Sequence, residues 1–143
     1  MSLASHPAIL ARCLMSLAVV LLTVGCSEEK PKVSVPADVQ VSYQVAINRH
    51  EAEPILLGPD SQRAFVDMVN GPEHDFDPKF LELSAEMGYF EAGNLTFEYH
   101  HGLVVLRRDD HIYIWTSDWV KQFMPLAVGA YEDPAELTEF LQR

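Results

Sequence analysis

The side chains able to do chemistry in this sequence are six histidines, 21 acids, two cysteines and a few serines, and their spacing limits what that chemistry can be. His100 and His101 are adjacent. On a strand, neighbouring side chains point to opposite faces, so the two cannot hold one ion without a turn between them. His111 and the pair Asp109-Asp110 could approach them across hairpins, yet no His-Glu-x-x-His spacing occurs. In His50-Glu51-Ala52-Glu53-Pro54 a proline stands where the second histidine should be. Asp75-Phe76-Asp77 starts like a calcium loop and lacks the glycine and the closing glutamate that such a loop needs. The expectation is therefore no metal site and no cofactor.

Nucleophilic catalysis is equally unsupported. No serine lies in a Gly-x-Ser-x-Gly elbow, Ser42 and Ser84 fall at strand and helix positions, and the seven glycines are scattered at turns instead of forming a phosphate loop. With so many acids a glycosidase-like pair can always be drawn, so drawing one carries no weight. No catalytic residue is expected. The formal charge of -11 argues against nucleic acid, which is held by clustered Lys and Arg, and leaves cationic proteins, metal ions or an uncharged partner, of which a cationic protein is the expectation.

What must position these residues begins after residue 25. A weakly basic start with Arg12, an apolar block over residues 13–24 and then Gly25-Cys26 has the layout of a secretory signal. The block is too short to span a bilayer, which takes about 20 apolar residues. Leu22-Thr23-Val24-Gly25-Cys26 resembles the lipobox of bacterial lipoproteins, with Thr23 where leucine is usual. The resemblance implies cleavage before Cys26, acylation of Cys26 and, with Ser27 following, sorting to the periplasmic side of the outer membrane. Processing would leave nine basic residues against 21 acids, a side-chain charge of -12, and a single cysteine, so no intrachain disulfide. More than one acyl chain is needed for stable anchoring, and the family's lipidated cysteine supplies that. Residues 26–37, with two prolines and few bulky groups, read as a tether, and 38–143 as one domain.

Within that domain Val39, Val41, Tyr43, Val45 and Ile47 alternate with polar residues, the pattern of a half-buried strand. A helix is expected from near Asp60, with Phe65, Met68 and Val69 as its stripe, ending at Asn70-Gly71-Pro72 through a left-handed cap. A second helix should run from Asp77-Pro78 to a stop at Gly88, with Phe80, Leu81, Ser84, Ala85 and Met87 inward. Three strands follow around Leu95–Tyr99, Leu103–Leu106 and Ile112–Ile114, joined by turns at His101-Gly102 and Arg108-Asp109-Asp110. Ser117 caps a short helix that Pro125 interrupts, and Asp133-Pro134 starts a last one with Leu137, Phe140 and Leu141 buried. The fold class is α+β: an antiparallel sheet of about four strands packed with about four short helices.

Acids and aromatics occur together in the segments assigned to loops. Asp75 with Phe76, Phe90 with Glu91, Asp118 with Trp119, and the acids Asp109 and Asp110 are the candidate partner contacts, the aromatics for buried area and the acids for steering. A small, acidic, lipidated α+β domain without catalytic motifs resembles the periplasmic immunity proteins that protect against cell-wall-degrading effectors of type VI secretion, and in logic the periplasmic lysozyme inhibitors. That resemblance implies steric inhibition of a peptidoglycan hydrolase and transfers no site residue. The alternative expectation is a structural or envelope-assembly lipoprotein.

Overall fold

A computed structural model of the chain describes residues 29–46 and 52–143. The signal segment 1–25, the lipobox with Cys26, Ser27, and also Ile47, His50 and Glu51 lie outside the described residues. Val33–Arg143 forms one compact unit. No helix among the described residues is long and apolar enough to cross a membrane.

The architecture is α+β, and the sheet has six strands. The elements are β1 (Val41–Val45), β2 (Ile55–Leu56), α1 (Pro59–Asn70), α2 (Lys79–Leu83), β3 (Gly88–Ala92), β4 (Leu95–His100), β5 (Leu103–Arg108), β6 (His111–Trp115), α3 (Asp118–Gly129) and α4 (Ala135–Leu141). The strands lie in the order β2-β1-β3-β4-β5-β6, every neighbouring pair antiparallel. Two-residue turns set the register of the meander. His101 and Gly102 both take positive φ, as do Asp109 and Asp110, the geometry that matches strand twist; Gly93 supplies the positive φ between β3 and β4.

The alternation of each strand divides the sheet into two faces. Val41, Tyr43, Phe90, Phe97, Tyr99, Val104, Tyr113 and Trp115 point into the main core, where α1, α3 and α4 bury Phe65, Val69, Val120, Phe123, Leu137 and Leu141 against them. Aromatic rings dominate it: Phe90 lies 4.8 Å from Tyr43, 4.9 Å from Phe65 and 5.7 Å from Phe123, and Tyr99 stacks on Phe123 at 4.4 Å. The Tyr99 hydroxyl donates to the Val120 carbonyl and accepts from the Gly102 amide, and burial pushes its pKa up to about 12. The second face carries a smaller cluster of Leu81, Leu103, Val105 and Ile114, with Phe76 and Ile112 at its margin.

Several expectations are corrected. The helix expected from Asp77 to Gly88 is only Lys79–Leu83; its N-cap position is Pro78, not Asp77, whose carboxylate accepts from the Lys79 amide just ahead of the helix, and the chain turns extended at Ser84. Gly88 is not a helix stop. It opens β3, where it is paired with Val45 and Tyr99, and a Cβ there would overlap the buried Tyr43 hydroxyl. Residues 33–37 are not all tether, because Val33 and Val35 are buried. Asn70 clamps this stretch through both amide atoms, accepting from the Val35 amide at 2.8 Å and donating to its carbonyl at 2.9 Å. Gly71 ends α1 in extended, not left-handed, backbone. Pro125 does not interrupt α3, which continues to Gly129 because Val120, Phe123 and Ala127 are packed on the core; Ser117 caps it as expected.

Gly88→Ala should cost about 1–3 kcal/mol in urea unfolding, the range for overpacking a close-packed site. A helix stop at this position would instead tolerate alanine with little loss.

Candidate functional site

The second face of the sheet is only partly covered, and its cover is the segment 73–86 with α2 at its centre. His74 donates its amide to the Ile114 carbonyl at 2.7 Å, which lays the start of the segment beside β6. Phe76 and Leu81 then reach the apolar cluster of β5 and β6. Beyond α2, Ser84 lies over the end of β4.

On β4 the period of two places Glu98 and His100 on this face, with Phe97 and Tyr99 in the core. His100 is 1% exposed, so its ring nitrogens must find partners inside the protein. Ser84 Oγ lies 3.0 Å from Nδ1, and Glu98 Oε2 lies 2.7 Å from Nε2. Arg107, on the neighbouring strand, donates from Nε to Glu98 Oε1 at 3.1 Å and fixes the other side of the carboxylate. Glu86 completes the group: a carboxylate oxygen from it, one from Glu98 and a ring nitrogen of His100 all lie within 4.8 Å of one another. An ionised Glu98 can only accept, so a neutral imidazole in this setting would carry its proton on Nε2 and accept the Ser84 hydroxyl at Nδ1. The arrangement can polarise a serine hydroxyl, or present an imidazole and two carboxylates to a cation.

Sequence spacing does not bring this group together: Ser84 falls on the expected helix and Glu98 within the expected strand Leu95–Tyr99. The one signal available was the alternation Glu98-Tyr99-His100, which puts an acid and a histidine on the same face two residues apart.

The candidate partner contacts do not converge. Phe90, expected in a surface loop, is fully buried at the centre of the core. Trp119 is half-buried and packs on Phe90, Phe123 and Phe140. Asp109 and Asp110 are exposed at the β5–β6 turn, and Glu91 is exposed on the second face toward that same end of the sheet. Asp118 follows β6, so one five-residue strand, roughly 17 Å, separates it from Asp109 and Asp110. Asp75 and Phe76 lie in the 73–86 segment, Asp75 exposed and Phe76 half-buried. No protein-family model matches this chain, and neither a curated protein nor a solved structure shows significant similarity to it.

Ser84→Ala should destabilise the fold by about 1–2 kcal/mol, since it strands a buried ring nitrogen. His101→Ala, at an exposed position, should stay within about 0.5 kcal/mol, and His111→Ala, half-buried beside Tyr113, should cost less than Ser84→Ala. Equal effects at all three sites in urea unfolding would contradict the placement of His100.

Proposed function

We propose that this protein is a membrane-anchored periplasmic lipoprotein that binds a cationic protein, a peptidoglycan hydrolase, and sterically inhibits it through the segment 73–86. One observation carries the reading. The segment spends Phe76 and Leu81 on docking to the sheet while leaving Leu83 89% and Phe80 39% exposed, among Glu73, Asp75, Asp77, Glu82 and Glu86. Leu83 is the most exposed large apolar side chain among the described residues. An apolar anchor in an acidic field is suited to a basic cleft: desolvation of Leu83 and Phe80 supplies contact energy, and the acids raise the encounter rate and fix orientation. A cleft of about 310 Å³ beside the segment, lined by His74, Phe76, Leu103 and Met124 among others, gives the partner an apolar recess.

Two further features support the reading. The surplus of acids makes like-charged partners and nucleic acid unfavourable. The lipobox-like Leu22-Thr23-Val24-Gly25-Cys26 would hold the inhibitor by acyl chains where a wall-degrading enzyme arrives.

The test is inhibition of a panel of purified cationic muramidases and amidases in a peptidoglycan-lysis assay. At least one should be inhibited, with affinity that weakens as salt rises. Leu83→Asp combined with Phe80→Ser should weaken that inhibition at least about tenfold, as expected on losing apolar anchors, and Leu83→Asp alone, at the more exposed position, should weaken it without changing the urea midpoint. Cys26→Ser should move the protein from the membrane to the soluble fraction. No inhibition across the panel, or inhibition indifferent to the double substitution, would refute this role for the segment.

A further inference from the structure

We infer that Glu86, Glu98 and His100 form a binding site for a zinc-type divalent transition ion. The argument starts from charge. Glu86 and Glu98 bring two carboxylates to within 4.8 Å of each other at the edge of a covered sheet face. Like charges at that separation are unfavourable unless a cation lies near. Arg107 balances Glu98, but among the described residues nothing donates a hydrogen bond or an ion pair to Glu86, so with a neutral imidazole the group keeps one negative charge in excess.

A metal would take the place of the proton now shared by His100 Nε2 and Glu98 Oε2. An ion with nitrogen and oxygen donors at 2.0–2.2 Å needs those donors roughly 3.4 Å apart in a tetrahedral arrangement. The separations here run from 2.7 Å, between His100 and Glu98, up to 4.8 Å, and side-chain rotations alone can bring them to that spacing. Three protein ligands leave the fourth position open on the side of the exposed Glu86, which is also the route by which the ion enters.

The surroundings already orient the ligands. When the ion takes Nε2, the imidazole proton moves to Nδ1, and the Ser84 hydroxyl, 3.0 Å away, turns from donor to acceptor. A ligating histidine whose other nitrogen is held by a hydrogen bond is the usual condition of metal sites. Arg107 does the same for Glu98, its Nε donating to Oε1 at 3.1 Å and more weakly to Oε2 at 3.4 Å, so that Oε2, now shared with His100, is the oxygen an ion at Nε2 would take. Imidazole with carboxylate favours zinc and its neighbours over magnesium or calcium, which take oxygen donors. A bound ion would tie Glu86, at the end of the 73–86 segment, to β4 and so close that segment onto the sheet.

The site is independent of any partner and is tested without one. The full chain, purified in detergent and stripped with a chelator, is titrated with Zn²⁺ alone against a chromophoric competitor, and with Co²⁺ for its visible spectrum. About one equivalent should bind per chain, with a Co²⁺ spectrum of low coordination number. Glu86→Gln, at an exposed position, should weaken binding at least about tenfold, and Ser84→Ala by about ten- to a hundredfold. Excess Mg²⁺ or Ca²⁺ should not compete. Absence of uptake, uptake unchanged in Glu86→Gln and in Glu98→Gln, or equal competition by Mg²⁺ would each overturn the assignment; unchanged uptake would place the ion on the exposed His74 or His101 or the half-buried His111 instead.

Discussion

The docking of residues 73–86 on the second face of the sheet is the contact on which the other features depend. An antiparallel sheet covered by helices on one side can leave its other side wet, and here β3 and β4 do keep Glu91 and Thr96 exposed. His100 does not fit that arrangement. It points to the second face yet is almost fully buried, which is tolerable only because Ser84 and Glu98 engage both ring nitrogens. The same segment that delivers Ser84 covers Leu103, Val105 and Ile114 with Phe76 and Leu81. Polar satisfaction and apolar burial therefore pull one segment down at two places, and the five-residue α2 between them holds Leu83 outward.

On the other face a single strand decides how the rings meet. β3 is the central strand that links β1 to the hairpins of β4, β5 and β6, and its Phe90 contacts rings from β1, β4, α1 and α3. Such pairs add about 0.5–1.5 kcal/mol each beyond their buried area. Gly88 lets this strand approach Tyr43 without a side chain in the way. The core is assembled without a disulfide among the described residues, and aromatic packing carries that load.

Strongly periodic elements are legible in the sequence alone: β1, β4, β5 and β6, the turns at His101-Gly102 and Asp109-Asp110, α1, and the Ser117 and Asp133 starts of α3 and α4. β3 is not, for a physical reason. Only Phe90 and Ala92 mark its buried side, too short a pattern to show period two, and Gly88 looks the same whether it ends a helix or makes room for a tyrosine. Misplacing β3 put Phe90 on the surface and stretched α2. The site suffered more, because Ser84, Glu86, Glu98 and His100 come from two segments whose approach is fixed only by docking. Asp75 and Phe76 are singled out by residue type alone, and the structure adds that they lie in the 73–86 segment, Asp75 exposed and Phe76 half-buried.

Hydrogen exchange across 73–86, in the wild-type full chain and in Leu81→Ala, tests the docked segment most directly. The account predicts that the His74 and Leu81 amides are protected in the wild type and lose protection in the variant, while Phe90 and Phe97 in the sheet keep theirs. Wild-type amides in this segment that exchange as fast as an open chain, or a variant in which segment and sheet lose protection together, would contradict it.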